Sequence, residues 1–313
     1  MTSSVPVVLI VFNRPDLTAQ TLARILEVST GPILVVGDGP RSHVVDDDRR
    51  VQETHEVVRQ LGGARVVLDG APENLGLRRN YVRAVDRLMG EHGRGIILED
   101  DTLPHPSFFP YVAELLVRYA EDERIGSICG QRVPPAPGLE AHSYGFCHIP
   151  PPWGWATWAR AWKDHARALE AWPALKASGH LEVLLGAAAA REWSALLDHA
   201  ETTDSYWIRW VLAHWVTHRL AAVPHVNLIE NVGFDERGTF TQAGSRYAER
   251  GSEPARSLAF PLAHPPHLAV RYASAEDDIA EAALPFSTRR RRLKQLLLEG
   301  PRRFWVRQRR QSR

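Results

Sequence analysis

Apolar residues in the first hundred positions come as short unbroken runs, each closed by a polar cluster and followed by residues at helical spacing. Val7-Val8-Leu9-Ile10-Val11-Phe12 is the first run, and its β-branched, uninterrupted character suits a strand covered on both faces. Asn13-Arg14-Pro15-Asp16 breaks it, and Leu22, Ile25 and Leu26 then mark a helix with Pro15 in its first turn. A second strand, Ile33-Leu34-Val35-Val36, ends in Gly37-Asp38-Gly39-Pro40 and leads to a polar helix over 46–61. A third strand over 65–68, a helix over 77–89 and a fourth strand, Gly95-Ile96-Ile97-Leu98, continue the alternation. Strand and helix in turn predict an α/β fold, doubly wound around a mostly parallel sheet. Further on the pattern predicts a helix over 107–119, a strand over 125–129 and a proline-rich loop over 134–152. Trp153-Gly154-Trp155-Ala156-Thr157-Trp158 is expected to lead into helix, 180–219 to be largely helical and 226–229 to form a late strand. Residues 243–275 read mostly as loop.

Ligands of open parallel sheets bind beyond the carboxyl ends of the strands. Three of the expected ends carry polar residues: Asn13-Arg14, Asp38 and Glu99-Asp100-Asp101. The fold argument therefore brings them to one crevice. Three adjacent carboxylates repel one another, and a divalent cation such as Mg²⁺ or Mn²⁺ would offset them while also binding phosphate oxygens. A solvated acidic turn is the alternative, and the buried strand before it weighs against that.

Composition narrows the class further. Net charge is +1, but residues 289–313 hold 11 Lys/Arg and one acid, a net of +10, so residues 1–288 carry +1 − 10 = −9. A basic tail seeks an anionic surface. Its arginines surround Leu293, Leu296, Leu297, Leu298, Phe304 and Trp305, which suits a helix over 287–310, interrupted at Gly300-Pro301, lying on an anionic membrane. A disordered solubilising tail is the rival reading. Few aromatic residues interleave the charge, so no nucleic-acid partner is expected. Two cysteines, Cys129 and Cys147, imply neither a disulfide framework nor a metal knuckle. No run reaches the roughly 20 apolar residues of a membrane span. The start of the chain lacks the pattern of a signal peptide. A cytoplasmic protein, peripheral on the inner face of the membrane, is the expectation.

Several motifs in order resemble the GT-A glycosyltransferases, of the family 2-like and N-acetylglucosaminyltransferase I-like branch. They are Phe12-Asn13-Arg14, Leu98-Glu99-Asp100-Asp101, Pro106-Ser107-Phe108-Phe109, Gly154-Trp155-Ala156-Thr157-Trp158 with Ala161-Trp162, Asp204-Ser205-Tyr206-Trp207, and Asn231-Val232-Gly233-Phe234-Asp235. The resemblance covers roughly residues 5–245. It implies a GT-A domain over 1–245, leaving a loop-rich extension over 246–286 and the basic tail over 287–313. It further implies an inverting transferase that moves a sugar from a nucleoside-diphosphate donor, a UDP-sugar, to a hydroxyl of a glycan or glycolipid acceptor in surface polysaccharide or glycolipid synthesis.

The roles implied by that resemblance are specific. Asn13 and Arg14 would contact the nucleotide or its phosphates, Asp38 the base, Glu99 and Asp100 ribose and sugar, and Asp101 the Mn²⁺ or Mg²⁺ ion. Asp204 would be the general base, although Asp also suits a helix N-cap. Glu73-Asn74-Leu75-Gly76-Leu77-Arg78-Arg79-Asn80 also resembles the family, with Arg79 placed for phosphate contact or as part of a solvated helix start. Trp153 and Trp155 are candidates for stacking on an acceptor sugar, or else core. Relatives often carry a His where this chain reads Gly238-Thr239-Phe240-Thr241. Two other readings stay open: a sugar-phosphate nucleotidyltransferase, which would need glycines that Phe12-Asn13-Arg14-Pro15 lacks, and a non-catalytic carbohydrate-binding protein of the same fold.

Overall fold

The computed structural model describes residues 3–133, 138, 140–234 and 252–268. In chain order the elements are β1 (Val7–Val11), α1 (Pro15–Val28), β2 (Ile33–Gly37), α2 (Asp47–Gly62), β3 (Val66–Gly70), α3 (Leu77–His92), β4 (Arg94–Glu99), β5 (Thr102–Pro104) and α4 (Phe108–Arg118). They continue as β6 (Ile125–Cys129), β7 (Tyr144–Cys147), β8 (Trp155–Trp158), α5 (Ala159–Trp162), α6 (Trp172–Ala177), α7 (His180–Leu197), α8 (Tyr206–Val216), β9 (Leu220–Pro224) and β10 (Ile229–Asn231).

Eight strands form one sheet in the order β3-β2-β1-β4-β8-β6-β9-β7, and β5 pairs with β10 in a separate two-stranded sheet. The β3-β2-β1-β4 half is wholly parallel, β6 and β9 are parallel to each other, and β8 and β7 run against their neighbours. The expected class, a mostly parallel α/β sheet flanked by helices, is the one observed. Both faces are covered, which is why β1 and β2 are apolar at every position: all ten of their residues are buried. Side chains alternate between two cores. Val8, Ile10 and Ile97 face the core built with α3 and α8, while Val7, Leu9, Val11, Ile96 and Leu98 face the one built with α1 and α4.

Three local expectations need correction. The proline-rich stretch contains a strand, β7, whose four residues are all buried. The tryptophan segment leads into a helix, α5, as expected, and is itself a strand: β8 lies antiparallel between β4 and β6, and its alternation sends Trp155 to one core and Ala156 and Trp158 to the other. The late strand lies on either side of its expected place, at β9 and β10, and the helical region of 180–219 is interrupted at Gly186 (φ 78°, ψ 159°) and again before Tyr206. Residues 252–268 have no regular structure but pack on the sheet, with Leu258 and Leu262 buried. The expectations for the basic tail, for Asp235 and for Gly238-Thr239-Phe240-Thr241 lie outside the described residues.

Candidate functional site at the strand ends

β2, β1 and β4 are neighbours in register, so their carboxyl ends fall side by side: the Asp38 amide donates to Val11 O and the Asp100 amide to Ile10 O. Arg14 sits at the N-cap position of α1, directly beyond β1. From there its guanidinium donates to Asp100 Oδ1 and lies 3.0 Å from Asp101 Oδ2. The sequence-predicted meeting of the first and fourth strand ends is therefore real. The neutralising charge observed at the turn is that of Arg14.

The three acidic residues do different things. Side-chain alternation along β4 turns Glu99 toward the α3/α8 core, where Tyr206 Oη donates to its Oε1 at 3.4 Å. Burial, and then the charges of Asp101 and Asp100, push the Glu99 carboxyl up toward its neutral form. Burial also pushes Asp100 up, against the pull of Arg14. The Asp100 carbonyl accepts from Thr21 Oγ1, which ties the turn to α1. The Asp101 carbonyl accepts from the Val232 amide at 2.8 Å, so the segment after β10 closes over the turn. Asp100 Oδ2 and Asp101 Oδ1 are buried and accept no hydrogen bond. Buried carboxylate oxygens without donors are costly. Hard oxygen donors of this kind suit Mg²⁺ or Mn²⁺. No group of three or more ligating side chains occurs among the described residues. A cation here would thus draw its other ligands from phosphate oxygens and water, the usual habit of Mg²⁺.

Asp38 is at the same rim but is already engaged. Its Oδ1 accepts from the Gly39 and Leu75 amides, and its Oδ2 from the Gly76 amide and Asn74 Nδ2, at 2.7–3.0 Å. In this arrangement Asp38 fixes the loop before α3 and has little capacity left for a base. Asn13 donates to Asp47, which Arg41 grips in a fork at 2.8 and 2.9 Å. The Arg41 bonds hold the Asp47 carboxyl down to about 2, and the Arg41 guanidinium also lies 5.0 Å from the centre of the Phe12 ring. Arg41 and Asp47 escaped the sequence reading because Asp46, in a left-handed conformation (φ 64°), folds the chain back so that residues six apart meet. No periodic pattern announces such a turn.

Asp204 caps a helix, though not its own. Its Oδ2 accepts from the Leu77 amide at 2.8 Å and its Oδ1 from the Arg78 amide at 2.9 Å, so it satisfies the start of α3 from across the fold. Arg79 is exposed on the first turn of that helix. Trp155 is 1% exposed and enclosed by Tyr81, Trp162, Tyr206 and Trp210, with its Nε1 donating to Tyr81 Oη. A tryptophan with no free face cannot stack on a sugar, so Trp155 is core. Trp153 is also buried, packed edge-on against Phe234. Tyr81 and Tyr206 stack on each other, with Tyr206 bonded to Glu99, and neither was given a role from sequence because an aromatic on the buried face of a helix reads simply as core. His214, bonded to Ser127 Oγ and Trp210 O, is a core histidine, and burial pushes it down to about 4.

No protein-family model matches the chain, and no curated protein matches it in sequence. Among solved structures it is similar to a mannosyltransferase from Pyrobaculum calidifontis in complex with GDP-Man and Mn²⁺, at 12% identity over 68% of this chain and 70% of that one, with a TM-score of 0.35. A UTP-bound UGPase from Acinetobacter baumannii is similar at 10% identity over 72% and 86% of the two chains, TM-score 0.35. So is a mannose-1-phosphate geranyltransferase from Thermus thermophilus, at 12% identity over 70% and 73%, TM-score 0.33. Likeness at these scores carries no argument about activity.

Proposed function

We propose that the chain is a glycosyltransferase of the GT-A type, which moves a sugar from a nucleoside diphosphate to an acceptor hydroxyl at the strand-end rim. The observation that carries this is the Arg14–Asp100–Asp101 cluster, with two buried carboxylate oxygens left without donors. Charge accounting favours a dianionic ligand with a cation. Arg14 offsets one carboxylate, and burial pushes both Glu99 and Asp100 toward their neutral forms, leaving at most about one negative charge at the turn. A divalent cation on that residual charge would still be positive and would seek a diphosphate.

Asp101 and Asp100 would hold Mg²⁺ or Mn²⁺ through their open oxygens. Such an ion, when bound, offsets the charge that develops on a leaving diphosphate. The rest falls to the chain itself. Arg14 orients both aspartates and can turn a free N–H to a phosphate. A protonated Glu99, steadied by Tyr206, offers an O–H to a sugar or ribose hydroxyl. The Val232–Gly233 backbone closes one side of the turn. Inversion, the UDP donor and a glycan or glycolipid acceptor belong to the same proposal and rest on the motif resemblance.

The test is to incubate the full chain with a panel of nucleotide sugars and Mn²⁺, and separately with nucleoside triphosphates and sugar 1-phosphates. Release of nucleoside diphosphate in the first set, lost by at least 100-fold in Asp101→Ala, is expected. Pyrophosphate release in the second set alone would make the chain a nucleotidyltransferase. No turnover and no nucleotide binding in either would reject both.

A further inference from the structure

A second charged site lies one helical turn from the Glu99–Tyr206 contact, and the site just described does not use it. Arg209 follows Tyr206 by three residues on α8, a rise of about 4.5 Å. Arg78 opens α3, and the bond from its amide to Asp204 Oδ1 pins that helix start to the chain just before α8. The two residues are thereby brought to adjoining helix starts, close enough for the charge of Arg78 to act on Arg209. No carboxylate lies within 4.0 Å of either among the described residues, whereas Arg83, five residues further along α3, is met by Asp69 at 2.7 Å. Arg209 donates to the Ala200 carbonyl at 3.3 Å, and the exposed Glu201 attracts it from further off. Yet the Nε atoms of both Arg78 and Arg209 are buried and bond to nothing. Burial and then the charge of Arg78 lower the proton affinity of Arg209, so the pair stands in mutual repulsion. His165, 3.4 Å from Tyr206 O and with its ring stacked on Trp162, is pushed down to about 4 by burial, and the charges of Arg209 and Arg78 push it the same way. Two partly buried cations that repel each other are a cost unless an anion joins them.

We infer that Arg78 and Arg209 form an oxyanion site for a phosphate ester carried by the acceptor. Two planar forks match the tetrahedral oxygens of phosphate, and the open Nε atoms supply directional donors. That the phosphate belongs to an acceptor rests on the transferase reading; that the arginines bind phosphate does not. A sugar phosphate and a lipid phosphate present the same headgroup chemistry.

Calorimetric titration of the full chain with inorganic phosphate, without divalent cation, tests the site. Arg209→Gln and Arg78→Gln are each expected to weaken binding at least tenfold, and Arg209→Lys less, since it keeps the charge but loses the fork. Circular dichroism and the melting temperature check that each variant is folded. Affinity unchanged in the glutamine variants, or no binding by the parent chain, would overturn the inference. Binding should persist when UDP and Mn²⁺ are saturating; displacement by them would assign the phosphate to the donor rim and overturn it also. If UDP with Mn²⁺ fails to bind while the arginine-dependent phosphate signal stays, the transferase reading fails and this site stands. Glucose 1-phosphate and a short-chain prenyl phosphate then identify the source, the tighter ligand marking the acceptor class and both requiring Arg209.

Discussion

A carboxyl at the end of β4 carries the sharpest consequence of single-residue chemistry. Glu99 is held by Tyr206 in a partly buried site that favours its neutral form. Its folded proton affinity is raised above the ordinary 4.5, so the stability it contributes is fullest at low pH and is lost as pH rises above that range. Glu99→Gln keeps an oxygen for the Tyr206 hydroxyl and removes the titration. In urea denaturation the variant and the parent should coincide near pH 4, and the variant should be more stable at pH 8 by on the order of 1 kcal/mol. A parent that gains stability between pH 4 and 8 relative to Glu99→Gln would show that Glu99 is ionised in the fold. Asp204 offers a parallel test. Its two bonds to the start of α3 are those of an N-cap, so Asp204→Ala should cost about 1 kcal/mol, and Asp204→Asn, itself a good cap, far less. A capping role alone leaves Asp204→Asn active within a few-fold; a loss of 10³ or more in kcat at an unchanged melting temperature would make Asp204 the general base.

At the scale of elements, the small β5–β10 sheet explains how the acidic turn is covered. Its three pairs, Ile229 with Pro104, Glu230 with Leu103 and Asn231 with Thr102, lead straight to the Val232–Asp101 bond. The Gly233 amide donates to Asn231 Oδ1, and a β-carbon on Gly233 would overlap Asp101 Oδ2. Gly233→Ala should therefore displace the Asp101 carboxylate. Transfer is expected to fall at least tenfold while the melting temperature drops by no more than a few degrees, since the change touches the rim and not either core. The half of the sheet that positions Asp101 was legible in the chain because β1, β2 and β4 are buried on both faces and their apolar runs end abruptly. What was not legible depends on partners distant in sequence. Trp155 reads either as an acceptor platform or as core, and is core because β8 fills the gap between β4 and β6 and turns it onto the aromatic cluster of Tyr81, Trp162, Tyr206 and Trp210. The cap from Asp204 to Leu77 joins residues 127 positions apart, and no local pattern records it.

Across the whole molecule the charge is divided, with +10 in residues 289–313 and −9 in the rest. No helix among the described residues is long and apolar enough to cross a membrane. Basic residues near an anionic bilayer contribute about 1 kcal/mol each, and the attraction fades beyond roughly 10 Å at 0.1 M salt. The −9 portion is repelled by the same surface, so the chain should bind with its C-terminal end toward the lipid and its acidic portion turned away. Sedimentation with vesicles of 30% phosphatidylserine should capture the full chain at 50 mM salt and release most of it at 500 mM. A chain ending at residue 286 should stay in the supernatant at both, and phosphatidylcholine vesicles should capture neither. Capture that resists high salt would instead require burial of Leu296, Leu297, Phe304 or Trp305 in the acyl region, since apolar insertion is not screened. Substituting Trp305→Ala separates the two: it leaves a purely electrostatic attachment unchanged and weakens an inserted one.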